Sequence, residues 1–98
     1  MQYCNYFYCN NKSQIKEIYE KSFPKEERFP FWILVQCAKE NNVHLYAILN
    51  EDNPNEVIGM YFTVEYDNIQ YLMYLAIDEA YRNKEYGSKV LKDLIIRN

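Results

Sequence analysis

Scarcity is the first thing this sequence offers. Three cysteines, Cys4, Cys9 and Cys37, are odd in number and contain no C-x-x-C pair, which excludes a disulfide framework and a structural zinc site and leaves reduced thiols. The one histidine, His44, stands in an alternating stretch and reads as structural or exposed rather than as a base or metal ligand. No apolar run approaches the ~18 residues of a membrane span, and the start "MQYCNYFYCN" lacks the basic and apolar regions of a secretory signal. The expectation is a cytoplasmic chain with no membrane partner. With 2 glycines and 3 prolines there is no low-complexity tract, no repeat and no evident linker, so residues 1–98 are expected to form one small domain. A domain of this size buries only about two-thirds of its unfolded surface, and its core must be economical.

Cations are scarce as well, but unevenly. The formal net charge is −3; residues 1–79 hold 6 Lys/Arg against 12 Asp/Glu, whereas residues 80–98 hold 5 against 2. An acidic body repels nucleic acid, which is not expected as a partner, while the basic end can hold a small anion.

What is present in quantity is tyrosine, 11 of 98 residues, which suits pleated and half-exposed strands. "QYCNYFYC" alternates and predicts a first strand. Ser13 is positioned to cap a helix through about Lys21, with Ile15, Ile18 and Tyr19 on one face and Pro24 ending the run. A second helix is predicted from Pro30, burying Phe31, Leu34, Val35 and Ala38 and ending around "ENN". Val43–Leu49 and "VIGMYFTVEY" read as strands, the latter holding Gly59, where a bulge or a close backbone approach is expected. Asp67–Asn68 makes a hairpin turn into "IQYLMYLAI", and a last helix begins near Tyr86 and runs to Asn98. The order β-α-α-β-β-β-α predicts an α/β (α+β) fold, a mostly antiparallel sheet with helices packed on it.

The chemistry concentrates in "YLAIDEAYRNKEYGSKVL", where an aliphatic strand passes through a polar loop into a helix. The first amides of a helix are unpaired, carry the positive end of the macrodipole and can seat phosphate. Amides from Asn83 to Ser88 lie there, and Arg82 and Lys84 add two full charges. This end of the chain, with the element order, resembles the front part of a GCN5-related N-acetyltransferase (GNAT) domain, whose acetyl-CoA loop reads Arg/Gln-x-x-Gly-x-Gly/Ala. Arg82 and Gly87 match; Glu85 stands where the first glycine would be. A carboxylate ~5 Å from a phosphate costs roughly 1–3 kcal/mol if it faces the phosphate.

The resemblance implies acetyl-CoA as cosubstrate, held by Arg82, Asn83, Lys84, Glu85, Tyr86, Gly87 and Ser88. The pantetheine arm would run along the backbone of Leu75, Ala76 and Ile77 as an added strand. It implies direct attack by a primary amine, from a small molecule or a peptide, on the thioester. A base must first remove the ammonium proton. The position matching the base of several family members is Tyr71, and the nearest carboxylate by sequence is Glu65. Family domains usually continue beyond the third helix, so the chain is expected to lack the C-terminal part, starting at the fifth strand. Ile69–Ile77 would then be an apolar uncovered edge, for which a homodimer through residues 69–77 is expected. The alternative is a non-catalytic module that binds CoA or a protein partner.

Overall fold

A computed structural model describes residues 1–97, and the predicted end of the last helix at Asn98 lies outside the described residues. The elements follow in the order β1 (Gln2–Asn5), α1 (Lys12–Ser22), α2 (Phe31–Cys37), β2 (Val43–Leu49), β3 (Val57–Tyr66), β4 (Ile69–Ile77) and α3 (Tyr86–Arg97). The four strands form one antiparallel sheet in the order β1-β2-β3-β4. The α+β architecture and the order of elements are those expected from the sequence.

Two local readings are corrected. β1 stops at Asn5, because the Asn5 side chain accepts from Phe7 N–H at 3.0 Å and Cys9 N–H returns to Tyr6 C=O at 3.2 Å, winding Tyr6–Tyr8 into a 3-10 turn. Local side-chain capture of the backbone overrides an alternating pattern in this way. The N-cap of α1 is Asn11 rather than Ser13, and the Asn11 amide reaches across to Asn55 C=O instead of capping.

Burial explains why β3 is apolar along most of its length. On one face Ile15, Ile18 and Tyr19 of α1 and Phe31 and Leu34 of α2 pack on Leu45, Ala47, Met60, Phe62 and Ala76. On the other, Val90 and Leu94 of α3 pack on Ile48, Ile58 and Tyr61. A strand covered on both faces loses its polar alternation, and each fully buried aliphatic side chain contributes about 1.5–3 kcal/mol.

Two irregularities shape the sheet. Ile48 lies opposite Gly59 but Leu49 opposite Val57, so Ile58 is an extra residue in β3. Phe62 lies opposite Tyr74 but Thr63 opposite Leu72, so Met73 is an extra residue in β4. A bulge of this kind bends its strand and re-aims the side chains beyond it. At Gly59 the expected close approach is present, since a Cβ there would stand 2.5 Å from Ala76 C=O, closer than real Cβ contacts come, and the bulge falls on its neighbour Ile58. Asp67 and Asn68 turn the β3–β4 hairpin with φ of 54° and 63°, the pair of positive values that a type I′ turn requires.

Candidate functional site

β4 is the last strand of the sheet, so its outer edge has no partner strand among the described residues. Asp78 N–H donates to Ile58 C=O at 2.7 Å. Backbone polar groups of an antiparallel strand alternate in direction, so Ala76 faces β3 while Leu75 and Ile77 direct theirs to the open edge. Ile77 C=O accordingly accepts from Arg82 Nε at 3.0 Å.

Beyond Ile77 the backbone turns in a defined way. The Asp78 carboxylate accepts from Ala80 N–H at 2.9 Å and Tyr81 N–H returns to Asp78 C=O at 2.8 Å, closing a 3-10 turn over Glu79–Tyr81. Asn83 and Glu85 then adopt left-handed conformations, with φ of 66° and 63°. Glu85 C=O accepts the first bond of α3, from Lys89 N–H at 3.1 Å. Among the hydrogen bonds of the described residues, none engages the N–H groups of residues 83–88. Successive unengaged amides around left-handed residues form a concavity suited to anions, here with a helix N-terminus behind it.

These residues surround a cleft of about 530 Å³, lined by Ile77, Tyr81 and every residue from 82 to 88 except Lys84. Lys84 instead holds its ammonium 5.7 Å from the Tyr81 ring centroid. Arg82 is also partly committed to the protein, with Nη2 3.4 Å from Ser22 Oγ in addition to the bond to Ile77. Its guanidinium thereby ties the end of β4 to the end of α1. Gly87 has the opposite character: a Cβ built there meets nothing within 4 Å, so the fold itself does not need glycine at this position. What the missing side chain leaves is open space beside the unengaged amides.

The two acid–base candidates lie elsewhere. Glu65 is exposed at the far end of β3, with its carboxylate 4.0 Å from His44 Nε2 and its backbone paired to Asn42. It lies opposite Gln70, five residues from Leu75, or about 17 Å at the rise of a strand. Tyr71 lies opposite Val64, four residues from Leu75 and before the Met73 bulge, with its ring half exposed. The structure therefore gathers the loop candidates Arg82, Asn83, Glu85, Tyr86, Gly87 and Ser88 with Ile77, and brings neither Glu65 nor Tyr71 to them.

Sequence reasoning missed Tyr19, Ser22 and Tyr74. Tyr19 Oη donates to Phe29 C=O at 2.6 Å and Phe29 N–H donates to Tyr74 Oη at 3.3 Å, pinning the α1–α2 connection against β4 beside Leu75. Burial, with the neighbouring Tyr74, pushes the Tyr19 hydroxyl well above the usual tyrosine range. Helical periodicity marks Tyr19 as core, and nothing in it reveals a bond to a loop ten residues on.

Residues 12–97 match the family model described as "Acetyltransferase (GNAT) family". The chain belongs to the GNAT family. Two solved structures share the fold, each at a TM-score of 0.71 over 96% of this chain: a GNAT-family acetyltransferase assignment from Bacteroides thetaiotaomicron, 24% identical, and an aminoglycoside 6'-N-acetyltransferase complexed with coenzyme A, 18% identical. The chain spans about half the length of either, 53%. No curated protein matches the sequence. Within the GNAT frame the β4–α3 turn is the segment that carries the Arg82-x-x-Glu85-x-Gly87 pattern, and its left-handed φ at position 85 is the conformation for which glycine is the usual residue. No described helix is long and apolar enough to cross a membrane.

Proposed function

We propose that this chain is a cytoplasmic, acetyl-CoA-dependent N-acetyltransferase domain that passes an acetyl group to a primary amine by direct attack. The observation that carries this reading is the row of unengaged amides from residue 83 to 88 beside the open space at Gly87. The coenzyme A bound by one of the structural neighbours is in keeping with it. In this reading the amides of residues 83–88 and the free guanidinium nitrogen of Arg82 hold the pyrophosphate. The outward amide and carbonyl of Leu75 and the outward amide of Ile77, whose carbonyl is held by Arg82, take the pantetheine arm as an added strand, with Ala76 between them. An amide at the open edge also steadies the thioester oxygen as it gains negative charge. The amine nitrogen forms the new bond to the acetyl carbon, the carbon–sulfur bond breaks, and the thiolate takes up one proton as the amine gives one up.

Tyr71 and Glu65 are the chain's own candidates for handling that proton, and their distance from Leu75 favours a second reading, a module that holds CoA without turning it over. The two are told apart by thiol release. Acetyl-CoA incubated with the protein and a panel of primary amines gives amine-dependent free thiol if the domain is an enzyme. Calorimetric CoA binding without thiol release supports the module, and absence of CoA binding removes both.

The exposed Ile69, Tyr71, Leu72 and Met73 on the unpaired edge of β4 support a homodimer formed through residues 69–77.

A further inference from the structure

Another cleft lies away from the β4–α3 turn, between α1 and α2 on the opposite face of the sheet from α3. It measures about 740 Å³ and shares no lining residue with the turn. Its walls combine two chemistries. Phe31, Val35 and Trp32 supply an apolar surface, with Trp32 66% exposed. Lys16, Lys25, Arg28 and Lys39 stand around it, with Glu20 as the lone carboxylate.

That charge distribution runs against the rest of the chain. Residues 1–79 contain six cations against twelve carboxylates, and four of the six cations line this one cleft. The two that do not are already occupied: Lys21 pairs with Glu17 at 2.7 Å, and Lys12 donates to Cys9 C=O at 3.1 Å. None of the four in the cleft has an ion pair among the described residues. Arg28 is held in place by backbone carbonyls, its Nη1 2.6 Å from Phe23 C=O and 3.2 Å from Glu20 C=O. A fixed guanidinium and three ammonium groups without an ion pair, around an apolar wall, form a field that one class of ligand satisfies. The volume falls within the ~300–1,000 Å³ typical of small-molecule sites.

We infer that the α1–α2 cleft is a binding site for a small organic polyanion with a flat apolar body, its ring lying on Trp32 and its negative groups reaching Lys16, Lys25, Arg28 and Lys39. This site is separate from the proposed acetyl-CoA seat and does not depend on it.

Trp32 is the only tryptophan of the chain and sits in the cleft, so its emission reports occupancy directly. Trimesate, a flat tricarboxylate, is the probe, and its neutral trimethyl ester is the control of equal shape. The expected result is a saturable change in Trp32 emission with trimesate, weakened by salt, and no saturable change with the ester. Lys16→Glu combined with Lys39→Glu should weaken trimesate binding about tenfold or more, while Lys16→Arg with Lys39→Arg should retain it. Arg82→Ala should also retain it, which separates this site from the acetyl-CoA reading. No saturable response to trimesate, equal binding of the ester, or undiminished binding by a folded charge-reversed variant would overturn the inference. If charge reversal prevents folding, the ester comparison and the arginine variants still decide.

Discussion

Glu85 holds a backbone conformation that costs a non-glycine residue about 1–2 kcal/mol, with φ at 63° in the turn that enters α3. Glu85→Gly is therefore expected to stabilise the fold by about 1 kcal/mol, less the extra chain entropy of glycine, and to raise Tm by a few degrees, read by thermal unfolding. In the acetyl-CoA reading it should also tighten CoA binding, by removing a carboxylate from the cleft. Gly87→Ala separates folding from binding. Its Cβ meets no protein atom, so stability should hold or rise by about 0.5 kcal/mol from the better helix propensity, while CoA affinity should fall in calorimetry. At Gly59 the same substitution drives a Cβ into Ala76 C=O and should destabilise by about 2 kcal/mol or more. The buried Cys9 thiol supplies a pH dependence. Burial, together with the neighbouring Cys4 thiol, pushes it up to about 12 from 9.0. The folded state therefore keeps a proton that the unfolded chain gives up, and stability is lost as pH rises above 9. Tyr19 acts in the same sense at still higher pH. Denaturant unfolding should give a constant stability from neutral pH to about 8.5 and a decline above it.

Among the elements, β4 is the one that carries both the edge proposed for the pantetheine arm and the contact proposed for a dimer. Its bulge at Met73 divides it into a segment with exposed Ile69, Tyr71 and Leu72 and a segment whose polar groups at Leu75 and Ile77 face the open edge. If copies of the chain pair through the first segment, Leu72→Lys should shift the protein toward monomer in light scattering with no loss of helix or sheet signal by circular dichroism. A dimer unchanged by this substitution would locate the interface elsewhere. The boundaries of β2, β3 and β4 were legible because alternation, a two-residue turn of Asp67–Asn68 and a run of β-branched and aromatic residues all agree. The first strand was not, since Asn5 diverts the backbone after four residues and that competition leaves the polar–apolar alternation untouched. The bulge at Met73 was equally hidden, because it is set by pairing with β3 rather than by local pattern.

At the scale of the whole molecule, one sheet carries α1 and α2 on one side and α3 on the other, and its Cα radius of gyration of 12.7 Å is the ~13 Å of an ordinary compact chain of this length. The apolar surface on β4 and on the outer side of α3, at Leu91, Ile95 and Ile96, therefore belongs to a folded unit rather than to an expanded one. The loop residues of the candidate site were readable in the sequence because a strand, a polar turn and a helix are local features. The distance of Glu65 from that loop was implied by the Asp67–Asn68 hairpin, which puts Glu65 at the turn end of β3; nearness along the chain was the wrong guide. The α1–α2 cleft was hidden because its cations are spread over 24 positions of the chain, from Lys16 to Lys39. The most direct test of the account is an amide-resolved nuclear magnetic resonance titration with CoA. Pyrophosphate capture at the β4–α3 turn predicts that the N–H signals of residues 83–88, with those of Leu75 and Ile77, move together and saturate at one equivalent. Signals that stay fixed there, or that move only around Trp32 and Lys39, would contradict it.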